Sequence, residues 1–291
     1  MRKIANIGAM FDHSQRAIDQ AHDIRIIGAP FDGTVSFRPG ARFGPQAIRT
    51  ASDGLETWSP VLDADVQDLR FADAGDLDLP PGDTEASLAR IEQATADALA
   101  ASAMPFLLGG EHLVTLPAVR AVHAAHPELV VVQLDAHADQ RTDYLGVALS
   151  HACVMRRIGE RVGAANLKQL GIRSGTRAEY AWMRAHHTLT TFRAQDLAQL
   201  RAWIGARPVY LTVDLDVFDP SCLPGTGTPE PGGIDWWTFQ RLLGALRGCT
   251  FAGMDIVELA PQWDPSGCSS VLAAKCLREM LLLAGESMID A

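Results

Sequence analysis

Short, uninterrupted apolar runs recur along the chain, and windows with helical periodicity separate them. Such a run is typical of a strand buried on both faces of a sheet, because a half-exposed strand alternates apolar and polar residues. Helices between the strands provide the crossovers that parallel pairing requires. We therefore predict an α/β fold, a three-layer α/β/α domain with a mainly parallel sheet. The domain spans residues 1–291, with 1–22 as an N-terminal extension.

The predicted elements alternate without a repeat or a linker to divide them. The predicted strands cover residues 23–30, 104–110, 128–135, 167–173, 187–192, 208–216 and 250–259. The predicted helices cover residues 84–102, 116–126, 193–204, 235–247 and 270–285.

The charge of the chain narrows the classes of partner. Its 25 lysines and arginines stand against 35 acids, which gives a net charge of −10. An acidic chain without a basic run is a poor candidate for binding nucleic acid or an anionic membrane. No segment approaches the roughly 18 apolar residues of a membrane span. The first residues lack a signal-peptide pattern and the five cysteines form no CxxC pair, so we expect a cytoplasmic, reduced protein.

Polar residues that can carry chemistry cluster where predicted strands end. They are Glu111 with His112, the DAHAD segment at 135–139, Asp214 with Asp216, and Glu258. Ligands in open α/β sheets bind beyond the carboxyl ends of the strands. We therefore expect these side chains to converge on one rim of the sheet.

The spacing within the aspartate motifs suggests how they converge. Residues two apart in a strand face the same side, about 7 Å apart. Asp135 and His137 can therefore aim at one spot, and Asp214 and Asp216 can do the same. Asp139 would lie about 13 Å from Asp135 in an extended strand. We therefore expect the strand to stop near His137 and the chain to curl back.

The four aspartates at one rim would repel one another. Neither the DAHAD segment nor the segment that holds Asp214 and Asp216 contains a lysine to offset their charge. Two divalent cations would cancel the charge of four aspartates, and two histidines would add neutral nitrogen ligands. The expected ligands are His112, Asp135, His137, Asp139, Asp214 and Asp216. A set rich in oxygen with some imidazole suits Mn²⁺, with Fe²⁺, Co²⁺ and Ni²⁺ as open alternatives. Each motif alone has an ordinary structural explanation, but their joint occurrence favours a two-metal site that activates water.

At these residues the chain resembles the ureohydrolase family, the arginases, agmatinases and relatives that hydrolyse guanidino groups. The motifs GGEH (109–112), DAHAD (135–139), SHA (150–152), DLDVFDP (214–220), GTGTPEPGG (225–233) and DIVE (255–258) occur in the family's order. Segments 28–49 and 54–69 look like the agmatinase branch in particular.

The resemblance implies an arginase/deacetylase-like fold, two Mn²⁺ per chain and a homo-trimer or homo-hexamer. It implies that His112 binds one metal and His137 the other. Asp135 and Asp214 would bridge the metals, and Asp216 would chelate the second.

Three catalytic roles are also implied by the resemblance. Asp139 would bind the first metal and hydrogen-bond the attacking hydroxide, His151 would shuttle protons, and Glu258 would hold the guanidinium. Two positions depart from the family's common motifs, because GGDH is here GGEH and SHG is here SHA. A methyl group at Ala152 therefore lies beside the proposed shuttle, where glycine would be freer in its backbone angles.

The sequence constrains the identity of the guanidino substrate less than it constrains the metal ligands. The segment 140–150 joins the metal motif to His151, and it offers Asp143 and Tyr144 to a substrate ammonium but also Arg141 to a carboxylate. The resemblance favours agmatine, cleaved to putrescine and urea; guanidinobutyrate, another short guanidino acid, arginine and free guanidine stay open. The rival classes are a deacetylase-like amidohydrolase, a dimetal phosphoesterase and a catalytically silent binding protein of the same fold.

Overall fold

The structure is a computed structural model that describes residues 10–11 and 21–289. Its strands are β1 (Ile24–Ala29), β2 (Trp58–Ser59), β3 (Ala64–Asp65), β4 (Phe71–Asp76), β5 (Met104–Gly109), β6 (Val130–Leu134), β7 (Leu167–Leu170), β8 (Leu189–Thr190), β9 (Val209–Asp214) and β10 (Phe251–Val257). Its helices are α1 (Gly44–Ser52), α2 (Thr84–Ala100), α3 (Thr115–Ala125), α4 (Val154–Val162), α5 (Arg177–Ala185), α6 (Ala194–Ile204), α7 (Trp236–Ala245) and α8 (Cys268–Ile289).

Eight of the strands form one sheet in the order β4-β1-β5-β10-β9-β6-β7-β8. Every pairing in it is parallel, whereas β2 and β3 form a separate antiparallel pair. The predicted parallel sheet is confirmed. Because the strands run the same way, their carboxyl ends all lie along one edge of the sheet.

Two buried clusters, one on each face of the sheet, account for the uninterrupted apolar runs. In β1, Ile24 and Ile26 belong to a cluster that also holds residues of α1, α6, α7 and α8. Ile27 and Ala29 belong to a second cluster with residues of α2, α3 and α4. Successive side chains of a strand point to opposite faces, so a strand covered on both sides is apolar throughout. The predicted three-layer α/β/α architecture is confirmed.

Strand β4, at the edge of the sheet, was not predicted. Two of its six residues, Asp73 and Asp76, are acidic, and an arginine from helix α1 pairs with both. Arg49 of α1 is 1% exposed and reaches Asp73 with both ends of its fork, Nε to Oδ2 at 2.7 Å and Nη2 to Oδ1 at 2.9 Å. Arg49 Nη1 also contacts Asp76. This buried ion pair fastens helix α1 to the edge of the sheet.

The other departures are short elements and element ends. Helices α4 and α5 were not predicted, and the predicted strand 187–192 is only two residues long. The predicted extension 1–22 lies largely outside the described residues, although Met10 and Phe11 pack in the core. Within the described part of the chain, no helix combines the length and apolarity needed to cross a membrane.

Candidate metal centre and active site

Four adjacent strands in the middle of the sheet carry the predicted polar motifs to one place. β5, β10, β9 and β6 are neighbours in the sheet, although β7 and β8 separate β6 from β9 in the sequence and β10 is far from β5. Glu111 and His112 follow β5, Glu258 follows β10, Asp214 ends β9 and Asp135 follows β6. The expected convergence on one rim is therefore present, and the parallel topology causes it.

A first cluster surrounds the imidazole of His112, which is 1% exposed. Its Nδ1 lies 3.0 Å from Asp135 Oδ2, 3.2 Å from Asp139 Oδ2 and 3.3 Å from Asp214 Oδ2. None of these oxygens makes an aligned hydrogen bond with Nδ1. The opposite nitrogen, Nε2, lies 3.0 Å from Thr212 Oγ1. Three carboxylate oxygens thus lie close to one imidazole nitrogen, an arrangement typical of the ligands of a bound cation.

A second cluster lies beside the first and shares Asp135 with it. His137 Nδ1 is 2.8 Å from Asp216 Oδ2 and 3.7 Å from Asp135 Oδ1. Thr228 donates its hydroxyl to Asp216 Oδ2 at 3.2 Å. Asp135 therefore turns one oxygen toward each histidine, Oδ2 toward His112 and Oδ1 toward His137.

The chain curls back after β6, as predicted, but it does so earlier. The strand ends at Leu134 rather than near His137, and Asp135 Oδ1 accepts the backbone N–H of His137 at 2.5 Å. Asp139 has a φ of 51°, a left-handed conformation that aspartate tolerates better than most residues. This turn returns the carboxylate of Asp139 to the first cluster, which an extended strand could not do.

The expectation that Asp216 lies on the same strand as Asp214 is wrong. β9 ends at Asp214, and Leu215–Val217 form a 3-10 turn. Asp214 Oδ1 accepts the N–H of Asp216 at 2.9 Å, so Asp214 caps this turn. The cap turns the Asp216 side chain toward His137 while Asp214 Oδ2 faces His112. A bridging role for Asp214 stays a prediction.

Burial and mutual repulsion raise the pKa of Asp139 and Asp214. Burial also acts on Asp135, but contacts with His112 and His137 outweigh it and lower the pKa of that carboxyl. Burial, and then repulsion from Asp135, raises the pKa of Asp139 to about 7. Burial, followed by repulsion from Asp216 and Asp135, raises the pKa of Asp214 well above its usual range. Burial lowers the pKa of His137, but Asp216 and Asp135 outweigh it and raise that pKa to about 12. Protons thus compensate the acidic charge when no cation does so.

The two clusters fit a pair of divalent cations. The ligand atoms of His112, Asp135 and Asp139 lie within 4.8 Å of one another, and so do those of Asp135, His137 and Asp216. The buried Nδ1 of His112, surrounded by oxygen but without an aligned hydrogen bond, is the atom such an ion would use. Carboxylate oxygen with a little imidazole is a donor set for hard to borderline divalent metals.

A cavity of about 320 Å³ reaches both clusters. Ligands from each cluster line it, as do His151, Glu258, Tyr144 and Arg141. Of the predicted substrate residues, Asp143 is not in the lining. It is exposed, and its Oδ1 accepts the N–H of Gly146 at 2.9 Å within a turn.

The mouth of the cavity combines a cation with an aromatic ring. The guanidinium carbon of Arg141 lies 5.0 Å from the ring centroid of Tyr144, and its Nε is 3.9 Å from Glu179 Oε2. The Tyr144 ring is in turn 5.9 Å from the imidazole of His151. A small molecule that reaches the two ligand clusters can therefore contact Tyr144, Arg141 and His151.

The SHA departure has no structural penalty. Ala152 lies within the 3-10 turn His151–Cys153, a conformation that alanine adopts readily. Burial lowers the pKa of the adjacent His151 to about 4, so that imidazole is neutral near pH 7.

Glu258 and Glu111 approach the rim from either side of His112. Glu258 has a φ of 67° and accepts the backbone N–H of His112 through Oε1 at 2.8 Å. Burial raises its pKa to about 8. Burial, and then repulsion from Glu258, raises the pKa of Glu111, which two hydrogen bonds from Thr34 oppose.

Several polar residues at the site were not predicted from the sequence, among them Thr212 and Thr34. Thr212 contacts the imidazole of His112, and Thr34 contacts both Glu111 and His151. Thr212 stands two residues before Asp214 on a buried strand, where a hydroxyl needs a partner, and this was the available signal. Thr34 had no comparable signal, because it lies in a loop between Ala29 and helix α1.

The chain is similar to known proteins over nearly its whole length. Residues 22–283 match the model of the arginase family. The agmatinase of Bacillus subtilis is 41% identical over 94% of this chain and 96% of its own. The proclavaminate amidinohydrolase of Streptomyces clavuligerus is 35% identical over 90% of this chain and 88% of its own. The crystal structure of the agmatine ureohydrolase of Thermoplasma volcanium superposes with a TM-score of 0.85 at 29% identity, over 97% of this chain and 96% of that one.

The family match, the fold and the clustered histidines and aspartates agree with one another. The chain therefore belongs to the arginase family, as an amidinohydrolase of that family.

Proposed function

We propose that this chain hydrolyses the guanidino group of agmatine to urea and putrescine, with two Mn²⁺ per chain. The observation that carries the proposal is the pair of ligand clusters that share Asp135 at the base of a cavity also lined by Glu258 and His151. The 41% identity to an agmatinase, over almost the full length of both chains, supports agmatine over other guanidines.

The ligands divide between the two ions by cluster. His112 and Asp139 would hold the first ion, His137 and Asp216 the second, with Asp135 and Asp214 shared. Bound there, two divalent cations would supply Lewis acidity and lower the pKa of a water between them.

The protein's own groups would do the remaining work. Asp139 would hold the attacking water by a hydrogen bond, take its proton and pass it to the leaving nitrogen. Glu258 would hold the planar guanidinium through Oε2, because its Oε1 already accepts a hydrogen bond from the backbone of His112. His151, neutral near pH 7, would exchange a proton at Nε2 with the leaving amine.

A guanidino acid is the second candidate substrate. Arg141 lines the cavity and carries the charge that a substrate carboxylate needs. Two features of the site weigh against it, because Glu179 lies 3.9 Å from Arg141 and Tyr144 lies against its guanidinium. Both would compete with a carboxylate for the same cation.

We also propose a homo-trimer or homo-hexamer in solution. Phe37 and Phe43 are 70% and 58% exposed, and large apolar side chains on a surface favour protein contacts. Light scattering coupled to size exclusion gives the subunit number directly.

The test of the function is urea release from a panel of guanidino compounds. The metal content is measured on the purified chain and again after the chain is stripped with a chelator, dialysed and reloaded with Mn²⁺. We expect about two Mn²⁺ per chain and the highest kcat/KM on agmatine. One zinc per chain would indicate the deacetylase-like alternative, and two metals without urea release would indicate a silent binding protein. A higher kcat/KM on 4-guanidinobutyrate than on agmatine would identify the guanidino acid as the preferred substrate.

A further inference from the structure

The imidazole of His151 sits among hydroxyl and carboxylate oxygens rather than in open solvent. On one side, Nδ1 lies 3.4 Å from Thr34 Oγ1, 3.4 Å from Ser150 Oγ and 3.8 Å from Glu111 Oε2. On the other side, Nε2 lies 3.2 Å from the hydroxyl of Ser36, which also lines the cavity. Only one ring nitrogen of a neutral histidine carries a hydrogen, so these neighbours can select which.

The hydroxyl of Thr34 has already committed its single hydrogen. It donates to Glu111 Oε1 at 2.9 Å, and the backbone N–H of Thr34 donates to the same oxygen at 2.9 Å. The lone pairs of that hydroxyl accept the backbone N–H of His151 at 3.1 Å. Toward the imidazole, Thr34 can therefore act only as an acceptor, which requires a hydrogen on Nδ1. Ser150 does not decide the matter, because its free hydroxyl can rotate to either role.

The side chain of Glu111 favours the same tautomer in its ionised form, which the two hydrogen bonds from Thr34 stabilise against burial. Glu111 is fully buried, and its Oε2 makes no hydrogen bond. A buried carboxylate oxygen without a partner is costly, so its orientation calls for an explanation. Nδ1 of His151 faces it at 3.8 Å, and Glu111 belongs to neither ligand cluster. A hydrogen on Nδ1 would bring positive charge toward this oxygen.

We propose that Glu111 and Thr34 are positioning residues that hold His151 as its Nδ1–H tautomer. Nε2, which faces the hydroxyl of Ser36, then carries a lone pair that can accept a proton in the cavity. The logic is that of a base oriented by a carboxylate behind it, here with a threonine hydroxyl between the two. The tautomer follows from the contacts alone, whereas its effect on turnover rests on the proposed function.

The tautomer can be measured without any activity. The full chain is labelled with ¹⁵N-histidine and loaded with diamagnetic Zn²⁺, and long-range ¹H–¹⁵N spectra report which ring nitrogen carries the hydrogen. The His151 signals are those that disappear in His151→Asn. We expect Nδ1–H in the unmodified chain, and finding Nε2–H instead overturns the proposal.

Two variants test whether Glu111 and Thr34 determine the tautomer of His151. Glu111→Gln can keep one oxygen for Thr34 while turning an amide donor toward Nδ1, so we expect a shift toward the Nε2–H tautomer. Thr34→Val removes the hydroxyl and should shift it the same way, whereas the matched Thr34→Ser keeps the hydroxyl and the original tautomer. If both Glu111→Gln and Thr34→Val leave Nδ1–H in place, the two residues do not position His151. If Glu111→Gln fails to fold, Thr34→Val and Thr34→Ser still test the proposal.

A double-mutant cycle then tests the kinetic consequence. We expect Glu111→Gln to lower kcat about tenfold, less than the loss of about 100-fold expected for His151→Ala, with KM and metal content unchanged. In a His151→Ala background it should cost nothing further, because a residue that acts through His151 has nothing left to act on. An equal loss in both backgrounds, or a loss of metal in Glu111→Gln, contradicts the proposal. Failure of the unmodified chain to release urea would refute the proposed function and leave the tautomer result standing.

Discussion

Thr212 Oγ1 lies 3.0 Å from Nε2 of His112, on the side of the imidazole opposite the three carboxylates. By accepting the Nε2 hydrogen, this hydroxyl leaves Nδ1 with a lone pair for a cation. A residue that hydrogen-bonds to a metal-binding side chain typically changes metal affinity by about 10- to 100-fold. We therefore expect Thr212→Val to weaken the binding of one of the two ions by that factor, measured by competition with a chelating indicator. Thr95→Val is the matched control, because Thr95 is also buried but bonds the carbonyl of Ile91 in α2. Equal weakening in both variants would contradict the role of Thr212.

Metal binding should release protons near neutral pH. Without metal, the raised pKa of Asp139, about 7, and of Asp214 keeps protons on the carboxyl groups, and His137, with a pKa of about 12, is charged. These groups bind a cation only when deprotonated. Metal affinity should therefore rise as the pH rises. Titration calorimetry in buffers of different ionisation enthalpy counts the protons released. Uptake of protons, or none exchanged, would show that these groups are not the ligands.

Glu258→Gln should weaken substrate capture and leave metal binding intact. The glutamine can keep an oxygen that accepts the backbone N–H of His112, as Glu258 Oε1 does now, but it loses the charge that faces a guanidinium. Loss of one partner of a buried charged pair costs about 2 kcal/mol or more, a factor of roughly 30. We expect KM to rise by at least that factor, with the metal content of the same sample as the control. Parallel loss of metal and activity would assign Glu258 a structural role instead.

Arg141→Met should distinguish the two candidate substrates. If the cavity takes agmatine, the variant removes a positive charge near the site of a substrate ammonium, and kcat/KM on agmatine should be unchanged or higher. On 4-guanidinobutyrate it should fall, because the carboxylate loses the guanidinium of Arg141 in the cavity lining. A fall on agmatine with no change on the acid would reverse this reading of Arg141.

The buried pair between Arg49 and Asp73 predicts a stability effect far from the site. Removal of one partner from a buried ion pair costs about 3–5 kcal/mol, because the other charge stays buried. We expect Arg49→Met to lower the free energy of unfolding in urea by that amount. Arg70→Met is the control, since the Arg70–Asp23 pair is largely exposed and such pairs contribute little. Similar losses in the two variants would contradict the burial argument.

The sequence by itself determined the central sheet and the residues that gather at its rim. Strands such as β6 and β9 are apolar throughout because both faces are covered, and that pattern is local enough to detect. The parallel arrangement then places His112, Asp135 and Asp214 together without further information.

Only the tertiary structure decided the features that depend on distant partners. The edge strand β4 is stabilised by Arg49 of helix α1, so the residues of β4 alone do not indicate a strand. The capped turn after Asp214 departs from the two-residue period of a strand. The curl before Asp139 was expected, but the end of the strand at Leu134 was not. Thr34 and His151 meet only when a loop after β1 crosses the rim. Local periodicity reports which face a residue takes, but the partner it finds there depends on how distant segments pack.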